Sequence, residues 1–458
     1  MEFPKAFESR MRCLLGPEYA AFAASYGRPL RPALRVNGLK GTASELAAQL
    51  PFTLAPVPWA RMGYYVQGEE RPGRHPLHEA GAYYVQEASA MAVASAVSAQ
   101  PGERVLDLCA APGGKATQLA ADLQGQGLLV ANEIHPARAK VLSQNLERMG
   151  ARNAVVTNEA PDRLAARFPA FFDRVVVDAP CSGEGMFRKE PQAVTDWSPE
   201  AVLRCAQRQR DILEQAALMV RPGGCLYYST CTFAPEEDEG LLAGFLAGHP
   251  DYALEPLPNA AALSPGRPQW GDGDPALARA GRIWPHLAGG EGHFLAALRR
   301  QGTGEHAPSL LPPPLPCPGP YRDFSAQFLQ NVPQGELALL GDRLCLAPLA
   351  PQSLHGLKLL RLGLELGALR KGRFEPAHAL AMALRPGDAR QTLRLAPDAP
   401  ELAAYLRGET LSVPPALKGW VLVCAGEYSL GWGKAVNGVL KNHYPKGLRR
   451  NMGETREK

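Results

Sequence analysis

Between residues 101 and about 245, short apolar runs alternate with helix-length stretches. The runs are RVLDLC (104–109), GLLVAN (127–132), AVVT (154–157), RVVVDAP (174–180) and GCLYYST (224–230), with helices expected over roughly 115–123, 136–149 and 200–220. Strands that are apolar throughout must be buried on both faces, so this alternation predicts a parallel sheet covered on each side by helices. The expected class is therefore α/β.

The flanks read differently. Residues 1–98 combine a basic helical start, the short strand-like LRPALRVNGLK and the strand-like GYYV (63–66) and AYYV (82–85), and QEASAMAVASAVSA (86–99) then reads as a helix of small residues. An α+β region over 1–98 is expected before a core at 99–305. Residues 308–320 hold seven prolines in thirteen, which makes 306–320 an extended, stiff linker. The remainder, 321–458, reads as a separate region of short β-like runs.

The 458 residues are too many for one small binding module, and 49 Lys+Arg against 45 Asp+Glu, a net charge of +4, rule out a polycation. Nine scattered cysteines without a CxxC pair argue for reduced thiols rather than a disulfide framework or zinc site. No signal peptide and no membrane span is read, and the expected location is the cytoplasm.

VLDLCAAPGGK (105–115) is a strand entering a Gly-rich turn and a helix, at the strand end where open α/β sheets bind ligands. It is neither a P-loop nor GxGxxG. Glu133 ends the second strand, where a carboxylate can bind ribose hydroxyls. A plain structural turn is the competing reading; the pairing with Glu133 favours a nucleoside-containing cofactor.

DAPCSGEGMFRK (178–189) ends the fourth strand and YSTCTF (228–233) the fifth. Cys13, Cys205, Cys225, Cys345 and Cys424 read as core cysteines. Cys181 and Cys231 instead sit in polar, small-residue loops just past strands, and with Asp178 they suggest thiolate chemistry.

The combination DLCAAPGGK, DAPCSGEG and YSTCT resembles the RNA (cytosine-5)-methyltransferase family, which uses S-adenosylmethionine. LRVNGLK and YYVQEASAM resemble its N-terminal region, and CSGEGMFRK, RIWPHLAGGEGHFLAAL (282–298) and GWGKAVNGVLKNHYPKGLRR (431–450) resemble the bacterial branch acting on small-subunit (16S) rRNA. The resemblance implies a Rossmann-like methyltransferase core, an RRM-like or ferredoxin-like N-terminal RNA-binding region and a C-terminal PUA-like RNA-binding domain. It implies Cys231 as the nucleophile on C6 of cytosine, Cys181 as the residue assisting loss of the C5 proton and release, and Asp178 contacting N3 or the exocyclic amine while protonated or sharing a proton. Cofactor contacts would come from Cys109, Ala110, Ala111, Pro112, Gly113, Gly114, Lys115, Glu133 and Asp178. The family's adenine-binding Asp falls by count on Ala160, leaving the backbone, Asn158 or Glu159. The expected partner is 16S rRNA or the small ribosomal subunit, with no membrane, no metal and a monomeric enzyme. A tRNA cytosine methyltransferase and a catalytically silent ribosome-assembly factor are the alternatives.

Positive charge gathers at Arg31, Arg35 and Lys40, at Arg188 and Lys189, at Arg204, Arg208 and Arg210, and at Lys434, Lys441, Lys446, Arg449 and Arg450 beside His443 and Tyr444. The tail is expected to face RNA, and the 204–210 run to be a solvated helix face. His75, His78, His286 and His293 have no metal-ligand spacing and read as structural or RNA-facing.

Overall fold

A computed structural model describes residues 2–68, 71–304 and 310–449. At its centre five parallel strands lie in the order Val220–Thr230, Phe172–Asp178, Arg104–Asp107, Leu128–Asn132 and Ala154–Thr157. Each is apolar along its length because helices cover both faces; Val105, Leu106, Val130, Val155, Val176 and Val177 are buried. His293–Arg300 extends one edge antiparallel to Val220–Thr230.

The helices run Gly114–Asp122, Pro136–Arg148 and Pro199–Met219, within a residue of expectation. A further helix, Pro161–Arg167, follows the third strand. The helix expected over 86–99 is shorter, Met91–Val97. Gln86 is taken by the Arg35 guanidinium, the Glu87 carboxylate accepts the Ala90 amide at 3.0 Å, and Ser98 turns left-handed at φ 47°.

The N-terminal strands Ala33–Val36, Thr53–Val57, Ala60–Gln67 and Tyr83–Val85 form an antiparallel sheet. Helices Ala43–Ala47 and Pro76–Glu79 interrupt it, giving β-α-β-β-α-β with the first strand between the third and fourth. Ahead of it, the helices Lys5–Leu15 and Tyr19–Ser25 pack Phe7, Met11 and Phe22 against Phe187, Phe233 and Trp284. Phe187 and Phe233 lie in the two cysteine motifs, so this N-terminal hairpin clamps the loops that carry Cys181 and Cys231.

The region after the prolines is less separate than the sequence suggested. Its strand Leu359–Leu362 joins the central sheet, antiparallel to Ala154–Thr157. Val421, Val423, Leu402, Tyr405 and Leu440 share one apolar core with Leu34, Val36 and Tyr83 of the N-terminal sheet. Of the linker, 305–309 lie outside the described residues, as does Arg450 of the tail. No helix among the described residues is long and apolar enough to cross a membrane.

Candidate active site

A cavity of about 1060 Å³ opens at the carboxyl ends of the parallel strands. Its lining includes Cys109, Ala111, Glu133, Asp178, Cys181 and Cys231, so the Gly-rich turn, the second-strand carboxylate and both cysteine motifs converge there. Strand order makes this happen: Phe172–Asp178 lies between Arg104–Asp107 and Val220–Thr230, which places three loops side by side.

The two sulfurs are 3.2 Å apart, and the Cys231 amide points at the Cys181 sulfur at 3.4 Å. The loops that carry them are stitched together. The Ser182 hydroxyl meets that of Thr232 at 2.8 Å, the Ser182 amide donates to Glu237 at 3.0 Å, and the Gly185 amide donates to the Cys231 carbonyl at 2.8 Å. A Cβ at Gly185 would stand 2.8 Å from the Gly292 carbonyl oxygen and 2.9 Å from that of Cys231, so only glycine permits this approach. The Cys181 thiol is pushed well above its ordinary value, first by its hydrogen bond with Cys231 and then by burial. Both causes favour the neutral thiol at Cys181.

Asp178 ends its strand directly beside Ser229. Ser229 donates to its Oδ1 at 2.8 Å, Lys115 Nζ lies 2.7 Å from Oδ2, and His293 Nε2 is 3.6 Å from Oδ1. Burial works against ionisation, yet the Lys115 charge and hydrogen bond, with His293 nearby, hold the Asp178 carboxyl far below the usual range. Without substrate, Lys115 against it favours the carboxylate of Asp178, an acceptor, over the protonated form. Its neighbour Asp107 goes the other way, pushed up to about 8 by burial and by the Asp178 charge.

Within the turn, Cys109 and Ala111 face the cavity, while the other members hold the turn in shape. The Ala110 amide donates to Asn132, the Pro112 carbonyl accepts from Asn145 at 2.8 Å and the Gly114 carbonyl accepts from Arg35 at 2.5 Å. Gly113, at φ 116°, caps the helix that Gly114 begins. Lys115 points at Asp178. Burial and the charges of Asp107 and Asp178 raise the Cys109 thiol, which keeps it neutral.

Glu133 is 3% exposed; its Oε1 accepts the His135 amide at 2.9 Å and its Oε2 lies 3.4 Å from Arg138. Asn158 and Glu159 are committed elsewhere. Asn158 donates to the carbonyls of Glu133 and Ile134, and Glu159 accepts the Lys358 amide at 2.6 Å. The acid lining the cavity after the third strand is Asp162, two positions beyond Ala160, at the start of helix Pro161–Arg167. Asp162, Arg138 and Ser229 escaped the sequence reading, whereas His293, read as structural or RNA-facing, lies beside Asp178. The signal for Asp162 was there, an acid in the first turn after an N-cap, and a strict positional count passed over it.

Several basic residues are corrected. Arg35 is buried, Arg188 pairs with Glu291 at 2.7 Å, and Tyr444 belongs to the apolar core rather than a stacking surface. Arg208, expected to be plain solvated surface, lines the active-site cavity. In the tail, the exposed Lys434 and Lys441 sit opposite each other on neighbouring strands, with Trp420 under Lys434 and beside His443.

Residues 94–299 match the family described as 16S rRNA methyltransferase RsmB/F. Residues 3–88 match the N-terminal domain of 16S rRNA methyltransferase RsmF, 323–384 its first C-terminal domain and 392–450 the methyltransferase RsmF PUA domain. Ribosomal RNA small subunit methyltransferase F of Serratia proteamaculans is 33% identical over 97% of this chain and 96% of its own length. Its namesake from Escherichia coli O17:K52:H18 is 34% identical with the same coverage. Among solved structures, a methyltransferase homolog protein from Pyrococcus horikoshii superposes with TM-score 0.59 at 29% identity, over 65% of this chain and 95% of that one. NSun6 from the same organism, at TM-score 0.58 and 20% identity over 66% and 99%, shares the fold. With its catalytic core, both flanking regions and nearly its whole length matched, the chain belongs to the 16S rRNA methyltransferase RsmB/F family and is an S-adenosylmethionine-dependent RNA methyltransferase.

Proposed function

We propose that this protein methylates C5 of cytosine in 16S rRNA through a covalent bond between Cys231 and the base. The observation that carries this reading is the pair of sulfurs 3.2 Å apart beside an ionised Asp178, in one cavity with Glu133.

The cavity suits S-adenosylmethionine: Glu133 is an enclosed carboxylate at the second strand end, and Asp162 offers a second acceptor farther along the same edge. Glu133 would take the ribose hydroxyls, Asp162 the adenine amine, and Cys109 and Ala111 would lie along the cofactor. Bound there, the cofactor supplies a methyl group on a positively charged sulfur.

Cytosine C5 is too electron-poor to attack that methyl unaided. The Cys231 thiolate adds to C6, and the C5–C6 electron pair becomes available at C5. Asp178, as a carboxylate, accepts from the exocyclic amine of the base, while the Lys115 ammonium beside it can donate toward N3 as negative charge develops there. C5 would then be the nucleophile toward the methyl group the cofactor supplies. The C5 proton passes to solvent, its electron pair returns to the ring, the C6–sulfur bond breaks and Cys231 leaves as a thiolate. The Cys181 thiol, touching Cys231, would donate a hydrogen bond to that departing sulfur and so assist release. The Lys434–Lys441–Trp420 face of the C-terminal region would contact RNA phosphates and bases. Free thiols throughout the described residues suit work in a reducing cytoplasm.

Bisulfite sequencing of 16S rRNA from cells with and without the gene tests the reading. At least one protected cytosine should disappear on deletion and return when purified protein and S-adenosylmethionine treat the mutant's RNA. Protection lost in tRNA, with 16S rRNA unchanged, would contradict it.

A further inference from the structure

On the far edge of the central sheet from the cysteines lies a second cavity, of about 910 Å³. Its core lining comes from 98–101, 121–125 and 150–152, segments that lead into the parallel strands, whereas the catalytic groups follow the strands' ends. Three parts of the chain meet there. The N-terminal sheet brings Arg35, Lys40 and Arg61, the core brings Arg152, and the C-terminal region brings Arg385.

Five cations thus face one acid, Asp122, whose own carboxyl burial pushes up to about 6. Arg35 is 2% exposed and donates to neutral groups: Gln86, the Gly114 carbonyl and the Thr117 hydroxyl at 2.8 Å. Lys40 donates to the Ala80 carbonyl at 2.6 Å, and burial with nearby Arg148 brings its ammonium down to about 7. Arg152 donates to the Ala383 carbonyl and Arg385 to that of Leu39 at 3.3 Å. Arg61 is exposed at the rim.

Charged side chains taken out of water are ordinarily paired with an opposite charge, because desolvation without a partner is costly. Arg35 and Lys40 are the two drawn out of water here, onto neutral acceptors, while Arg61, Arg152 and Arg385 are exposed around the opening, Arg152 with Asp388 near it. Positive charge is left in excess, a situation an anion relieves. Guanidinium groups offer paired N–H donors that match phosphate oxygens, and three of them stand around the opening. The opening spans the junction of the three regions, which suits an extended chain of phosphates.

We infer that this cavity binds the phosphodiester backbone of an RNA segment distant from the target cytosine, through Arg61, Arg152 and Arg385 at its mouth. The inference rests on the reading of RNA as the substrate. The bound molecule would then be held at both edges of the sheet, with the base in the cysteine cavity and a remote part of the backbone here.

The test uses full-length protein, transcribed 16S rRNA and a salt series. In R61E/R152E/R385E the RNA Kd should rise at least tenfold and the slope of log K against log salt should flatten by about one unit per lost contact. KM for RNA should rise, while kcat at saturating RNA and cofactor affinity stay as in the wild type. Arg152 and Arg385 hydrogen-bond across the junction, so Arg61→Glu alone, which breaks no hydrogen bond in the fold, must move the slope the same way by about one unit. Unchanged affinity and slope in both variants overturn the inference. So does pyrophosphate that binds the wild type tightly without displacing RNA, since the cavity then serves a free phosphate compound; displacement of RNA by pyrophosphate supports it. Wild-type protein that methylates no RNA would instead refute the proposed function, a result separable from these.

Discussion

The Lys115 ammonium sits 2.7 Å from the Asp178 carboxylate, joining the helix of the Gly-rich turn to the strand end that carries the cysteine loop. One ion pair therefore ties the Gly-rich turn to the cysteine loop and sets the charge of the residue proposed to meet the cytosine.

Replacing Lys115 with Met removes the largest influence that lowers the Asp178 carboxyl against burial. Asp178 should then take up a proton at higher pH. In the wild type, the ionised form persists until pH falls through its strongly lowered value, so activity should show no Asp178-dependent loss across mildly acidic pH. In Lys115→Met, the acid limb of the kcat/KM profile should move upward. An identical acid limb in both proteins would contradict the pairing.

Glu133→Ala should weaken S-adenosylmethionine binding. Loss of two charge-assisted hydrogen bonds costs roughly 2–4 kcal/mol. Calorimetry that found the same affinity for variant and wild type would remove Glu133 from the cofactor site.

Glu237 lies behind the Cys181 loop, accepting from the Ser182 amide and from Gln209 at 2.8 Å, and burial pushes its carboxyl up to about 7. The folded state therefore holds this proton more tightly than the unfolded chain does. Its contribution to stability is present at pH below the unfolded value and is lost as pH rises through about 7. Glu237→Gln keeps an acceptor and has no charge to bury, so it should melt higher than wild type at pH 8, with the difference vanishing near pH 4. Parallel melting curves across that range would disprove the assignment.

Arg282 is buried among Trp270, Trp284 and Phe294 with Asp238 at 2.9 Å and Glu239 beside it. Arg282→Ala leaves buried carboxylates without their counter-charge and should cost about 3–5 kcal/mol of stability. Denaturant unfolding that showed less than 1 kcal/mol lost, on the order of an exposed ion pair, would contradict this.

The central sheet was legible because continuous apolar runs at helix-length spacing admit few other solutions, and the site was legible because its motifs all follow strand ends. What escaped depends on distant pairing. Nothing local to Leu359–Leu362 shows that it completes a sheet begun 250 residues earlier, since its partner is Ala154–Thr157. His293 reads as an ordinary strand residue until antiparallel pairing with Val220–Thr230 brings it to Asp178. Arg35 and Arg188 look like surface cations in sequence; their guanidinium groups are spent inside, on Gln86 and the Gly114 carbonyl and on Glu291. The helix over 86–99 starts late because the Gln86 amide is still paired with the Ala33 carbonyl of the N-terminal sheet and the Glu87 carboxylate caps the turn at Ala90 ahead of the helix.

The central claim is the division of labour between Cys231 and Cys181, and it is tested by incubating each alanine variant with 16S rRNA and S-adenosylmethionine and running the products on a denaturing gel. Cys231→Ala should be inactive and form no protein–RNA adduct, since the attacking thiolate is gone. Cys181→Ala should attack and methylate but stall before release, so a slow-migrating adduct that requires RNA accumulates. A slow band with Cys231→Ala and none with Cys181→Ala would reverse the two roles, and full activity in both variants would refute the cysteine mechanism.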